Sequence, residues 1–79
     1  MRITDVAKLI GVMPDEIRWL EKKGYIKPTW KTLKKRQVRD YPEIEVDKIK
    51  LIVKYRREGF EHEVAYQKAK EEWEHPRLV

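Results

Sequence analysis

A chain of 79 residues has room for one domain and little more, and a domain that small buries only about 60% of the surface its unfolded chain exposes. Charged residues make up 42% and apolar residues 41%, but three Trp, four Tyr and recurring Ile and Val argue against disorder. The absence of Cys and Ser excludes disulfides, thiolate metal sites and serine or cysteine nucleophiles.

In chain order, Thr4 reads as an N-cap and Asp5 as a first-turn acid for a short helix with Val6, Ala7 and Ile10 on its apolar face, closed by Gly11. Pro14 suits the first position of a second helix, with Asp15 and Glu16 at its positive end and Gly24 at its close. Ile17, Leu20 and Glu21 point one way; Asp15, Arg18, Trp19 and Lys22 lie on the other side. Only Gly11, Val12 and Met13 separate the two helices, which is the spacing of a helix-turn-helix and equally of a plain helical hairpin.

From Tyr25 to Tyr41 the helical period is lost. Pro28 breaks the chain, Val38 and Tyr41 flank Arg39 as anchors, and the pattern predicts a hairpin or extended wing with its tip near Lys31–Lys35. That tip has no Gly, Asn or Asp, so a loose, mobile loop is expected in place of a tight two-residue turn. Pro42 begins a third helix with Val46, Ile49, Ile52 and Val53 at helical spacing, and Gly59 stops it. A fourth helix runs from about Glu61 into the Trp73 region. Val64 is expected to pack with Phe60 into the core, while Ala65, Tyr66, Ala69 and Trp73 form a separate stripe. Residues 1–74 read as one domain and residues 75–79, which include Pro76, as a patternless frayed tail.

The net charge of +5 is informative chiefly for its placement. Between Lys22 and Arg39 stand eight cations (Lys22, Lys23, Lys27, Lys31, Lys34, Lys35, Arg36 and Arg39) and no acid, whereas the rest of the chain has eleven cations against fourteen acids. A one-signed patch suits a polyanion, and nucleic acid is the leading partner; an anionic membrane or a merely flexible basic loop are the rivals. No stretch approaches the ~20 apolar residues of a membrane span, and the pattern starts without an apolar leader, so a cytoplasmic location is expected. The lack of Asn and the wealth of ions suit a hot-living source. For catalysis there is little material. His62 and His75 lie 13 residues apart without metal-ligand spacing, Glu71 and Glu72 read as solvated helix surface, and no Gly-rich phosphate loop is present. No enzyme activity, metal or cofactor is expected.

Taken together, these segments resemble the DNA-binding domain of the MerR family of transcription regulators. The resemblance rests on Ile3, Val6, Ala7 and Gly11-Val12; on Ile17-Arg18-Trp19-Leu20-Glu21; on Gly24-Tyr25-Ile26 and Pro28; on Val38-Arg39-Asp40-Tyr41; and on Gly59-Phe60 with Val64. It spans roughly Ile3 to Ala69 and is carried by the order of the pieces more than by any one of them. It implies a mostly α fold with a small β wing, a winged helix-turn-helix of about four helices plus a hairpin. It also implies double-stranded DNA as partner. Arg18, Trp19 and Lys22 would face the major groove, Lys31, Lys34, Lys35 and Arg36 would grip phosphates or reach the minor groove, and Arg39 and Tyr41 would hold the backbone.

The sequence departs from the family pattern at Leu20, where a second aromatic is usual, at Gln37, which replaces a wing Gly, and in a wing about two residues longer. Asp15 and Glu16 stand where basic or hydroxylated residues are common; they either cap the helix or accept from a cytosine amine. The chain stops short of the family's long dimerisation helix and effector domain, so it resembles the minimal relatives: small regulators, excisionases and DNA-packaging small subunits. A monomer or weak dimer that assembles cooperatively on DNA is expected, with no small-molecule effector. A protein-binding adaptor that uses the Ala65–Trp73 stripe is the rival from another functional class.

Overall fold

A computed structural model describes residues 1–75. Four helices, α1 (Ile3–Ile10), α2 (Pro14–Lys22), α3 (Glu43–Arg57) and α4 (His62–Glu74), accompany a single antiparallel hairpin of β1 (Thr29–Leu33) and β2 (Arg36–Asp40). The predicted winged helix-turn-helix is thus the observed architecture. Of the expected tail, residues 76–79 lie outside the described residues.

Helix α1 starts one residue before the expected cap. Arg2 is the N-cap, with no side-chain hydrogen bond, and Thr4 lies inside the first turn. The reason is Ile3, which packs against the core and so extends the stripe of Val6, Ala7 and Ile10 by one helical step. At the other end Gly11 takes φ +82° and donates its N–H to the Ala7 carbonyl (2.8 Å). Arg57 of α3 completes this cap: its Nη2 donates to the carbonyls of Ile10 (3.0 Å) and Gly11 (3.2 Å). A cation on two orphan carbonyls complements the negative end of the helix and locks the turn to the helices behind it. Pro14 then opens α2 as expected, after Met13 as N-cap.

The core joins Val6, Ala7 and Ile10 of α1, Ile17 and Leu20 of α2, Ile26, Tyr41, and Val46, Ile49, Ile52 and Val53 of α3. Ala65 and Ala69, fully buried and four residues apart, let α4 close on α3. Val64 is 43% exposed, contrary to expectation, because it sits about 100° around the helix from the buried alanines. Phe60 is half-buried, edge-on to Tyr55 at 6.2 Å. The Ala65–Trp73 stripe belongs to this same core: Tyr66 stacks on Tyr25 (4.1 Å, 10°) and Trp73 meets Tyr66 edge-on (5.9 Å).

The wing differs from expectation at its tip. Register runs from Thr29↔Asp40 to Leu33↔Arg36, which leaves only Lys34 and Lys35 to turn the chain, with Lys34 at φ +56°. A ladder paired to its last residue prefers a turn that matches strand twist, and that preference outweighs the roughly 1–2 kcal/mol that a left-handed non-glycine residue costs. The base of the wing is held twice. The Lys27 N–H donates to Glu45 Oε1 (3.0 Å) on α3, and the Tyr41 N–H donates to the Met1 carbonyl (2.7 Å). Among the described residues no helix is long and apolar enough to cross a membrane.

Candidate nucleic-acid interface

Burial of Ile17 and Leu20 orients α2, and its outer face therefore carries Arg18 and Lys22, one turn apart and both exposed. Arg18 Nη1 donates to Asp15 Oδ1 (2.8 Å), while Glu16 pairs with His62 Nε2 (2.8 Å) at the start of α4. Neither acid caps α2 through a side-chain hydrogen bond. Both still favour its positive end electrostatically, and Asp15 also pairs with the exposed Arg18 guanidinium.

Trp19 departs from its expected place beside Arg18. The next helical step carries it toward α4, where it lies half-buried, edge-on to Tyr25 (5.9 Å) and tilted against His62 (4.2 Å). Its ring anchors α2 on the helices behind it, with Lys23 Nζ 5.4 Å from the ring centroid.

The register divides the wing into two faces, because directly opposed residues share a side. One face holds Trp30 with Arg39 and Thr32 with Gln37; the other holds Lys31 with Val38 and Leu33 with Arg36. Arg39 shows which face belongs with α2. Its Nε donates to Glu21 Oε1 (2.9 Å), and its guanidinium lies 5.0 Å over the Trp30 ring. The hydrogen bond to Glu21 lifts the Arg39 pKa above its ordinary value, against a smaller loss from desolvation. Gln37 Nε2 donates to Thr32 Oγ1 (3.3 Å) further out on the same face.

Tyr41 is a core residue, 1% exposed, and has no surface to offer a ligand. Its buried hydroxyl has no hydrogen-bond partner among the described residues. Burial pushes its pKa up; the Glu21 carboxylate adds to this, and Arg39 and Arg18 oppose it. Charges from α2 and from the wing thus oppose one another at this phenol.

The predicted cations fall into two sets. Lys31 Nζ approaches Asp40 Oδ2 (3.5 Å), and Arg39 is bound to Glu21. Asp40 is held below the usual carboxylate range chiefly by a hydrogen bond from the Met1 ammonium (2.8 Å), with Lys31 contributing. Lys34, Lys35 and Arg36, by contrast, are exposed and have no ion-pair partner among the described residues. They form a free cationic tip on a wing whose root is fixed to the second helix. Sequence reasoning passed over Trp30, 55% exposed beside Arg39. Its strand parity with Arg39 was the available signal, and the expectation of a loose loop obscured it.

Among the described residues no group of three or more His, Cys, Asp or Glu could hold a metal ion. The family model described as MerR HTH family regulatory protein matches residues 1–72. No curated protein matches the chain.

Proposed function

The chain belongs to the MerR helix-turn-helix family of regulatory proteins, and from that premise we propose that it regulates transcription by binding a specific double-stranded DNA site. Helix α2 lies in the major groove. Arg18 reads a guanine through its O6 and N7 atoms, Lys22 neutralises a phosphate, and the wing follows the flanking backbone with Lys31, Lys34, Lys35, Arg36 and Arg39. The observation that carries this reading is the continuity of the exposed Arg18–Lys22 face, through the Glu21–Arg39 bond, with a wing whose residues from Thr29 to Arg39 include five cations and no acid.

The Asp15–Arg18 pair does not obstruct the reading. An exposed ion pair of this kind is worth about 0–1 kcal/mol, so a base edge or phosphate displaces Asp15 at little cost. The folded unit spans residues 1–74 and acts without a small-molecule effector. It is a monomer or weak dimer that assembles cooperatively on adjacent sites, a reading supported by the packing of the α4 stripe against the chain's own core.

Arg18→Ala tests the reading. On the preferred duplex it costs about 1–3 kcal/mol of binding free energy, and much less on random DNA. Equal losses on both make Arg18 a phosphate clamp, and no loss removes it from the interface.

A further inference from the structure

Trp30 is the largest exposed apolar side chain on the wing, on a strand whose five residues are all exposed, and nothing in the fold requires an indole there. It nonetheless has a neighbour tied to the second helix. The Arg39 guanidinium lies 5.0 Å over its ring while the Arg39 Nε is bound to Glu21, so the ring is held at a set position relative to α2. It shares its wing face with Arg39, Thr32 and Gln37, and the free cations Lys34 and Lys35 lie at the turn just beyond. The indole is uncharged, its single polar atom is the Nε1–H donor, and most of what it exposes is apolar ring that a phosphate does not match. Besides the thymine methyl in the major groove, which α2 occupies, the apolar surface a duplex offers is the carbon edge of the deoxyribose rings along the minor groove.

We propose that Trp30 is a DNA-contact residue that packs its indole against the deoxyribose wall of the minor groove beside the major-groove turn held by α2. This inference rests on the proposed function and adds to it an apolar contact from outside the basic set. It follows that Arg39 has two tasks, meeting the backbone and presenting Trp30. Burying even half of the ring's exposed area at the usual apolar rate is worth roughly a factor of ten in affinity. Sugars carry no sequence information, so the gain is the same on any duplex.

The test is Trp30→Ala and Trp30→Phe, compared with the unmodified chain and with Arg39→Ala, on a preferred and a random duplex over a range of salt. Helix content and Tm come first, and an exposed strand position outside the core predicts both essentially unchanged. Trp30→Ala then weakens binding roughly tenfold on both duplexes with the salt slope unaltered, and Trp30→Phe recovers most of the loss. The drop in tryptophan fluorescence when the unmodified chain meets DNA disappears in Trp30→Phe.

Equal affinity in Trp30→Ala overturns the proposal. So does a salt slope lowered by about 0.9, the signature of a residue that merely positions Arg39. A loss confined to the preferred duplex also overturns it, because the ring would then be reading a base. Failure of the unmodified chain to bind any duplex is a different result and refutes the proposed function itself.

Discussion

Replacing Lys34, Lys35 and Arg36 together with Ala is the perturbation whose size follows most directly from the structure. All three are exposed at the wing tip and free of ion pairs among the described residues, so their charges are available to phosphates. Lys31 and Arg39 are partly spent on Asp40 and Glu21 and contribute less on substitution. If each tip cation neutralises one phosphate, the slope of log K against log salt falls by about 2.7. Between 50 and 200 mM salt the substituted protein should therefore lose roughly fortyfold less affinity than the parent. Fluorescence anisotropy of a labelled duplex across that salt range measures both slopes. The loss should be the same on any sequence, since phosphates carry none. An unchanged slope would show a solvated tip that touches nothing and would refute the reasoning.

Three further predictions concern the frame behind the interface. Gly11→Ala should lower stability by about 1 kcal/mol in urea denaturation, mainly from the left-handed φ of +82°, since the Arg57 guanidinium 3.3 Å from a new Cβ is the far end of a flexible side chain. Tyr41→Phe should fold with parental or slightly greater stability, because the buried hydroxyl it removes has no partner. As burial raises the Tyr41 pKa above its ordinary 10.0, the stability this neutral phenol contributes is complete below that pH and is lost as pH rises through the folded value; Tyr41→Phe should flatten that alkaline decline in a pH series of Tm. Trp73→Ala should cost about 2 kcal/mol of stability by stripping the edge of Tyr66, and leave cooperative binding in sedimentation with DNA unchanged; lost cooperativity in a folded variant would make the α4 stripe a contact between copies.

Helices were legible wherever a repeat of apolar residues had a stop beside it. Ile17 and Leu20 before Gly24, and Val46 to Val53 before Gly59, define α2 and α3 without ambiguity. Local pattern fails where a residue answers to a distant neighbour. Thr4 is the better cap by chemistry, but Ile3 packs against the core and takes the helix with it. Trp19 is one position from Arg18, yet His62 and Tyr25 claim its ring from 43 and 6 residues away. Val64 looked like core until two alanines, small enough for close approach, set the buried line of α4.

The same limit governed the wing. Turn chemistry at Lys34-Lys35 argued for a loose loop, while the cross-strand ladder, visible only once the register is known, closes it in two residues. The basic character of the site was plain from the acid-free run between Lys22 and Arg39. Which of those cations are free was not, because Glu21 and Asp40 reach Arg39 and Lys31 through space.

Guanine N7 protection by methylation footprinting, combined with phosphate ethylation interference on a duplex selected by the protein, tests the central claim most directly. The account predicts protected guanines within a single stretch of major groove, where α2 lies, and phosphate interference extending past it on the side covered by the wing. Binding that leaves every guanine N7 reactive, or interference confined to phosphates with no flanking extension, would contradict it.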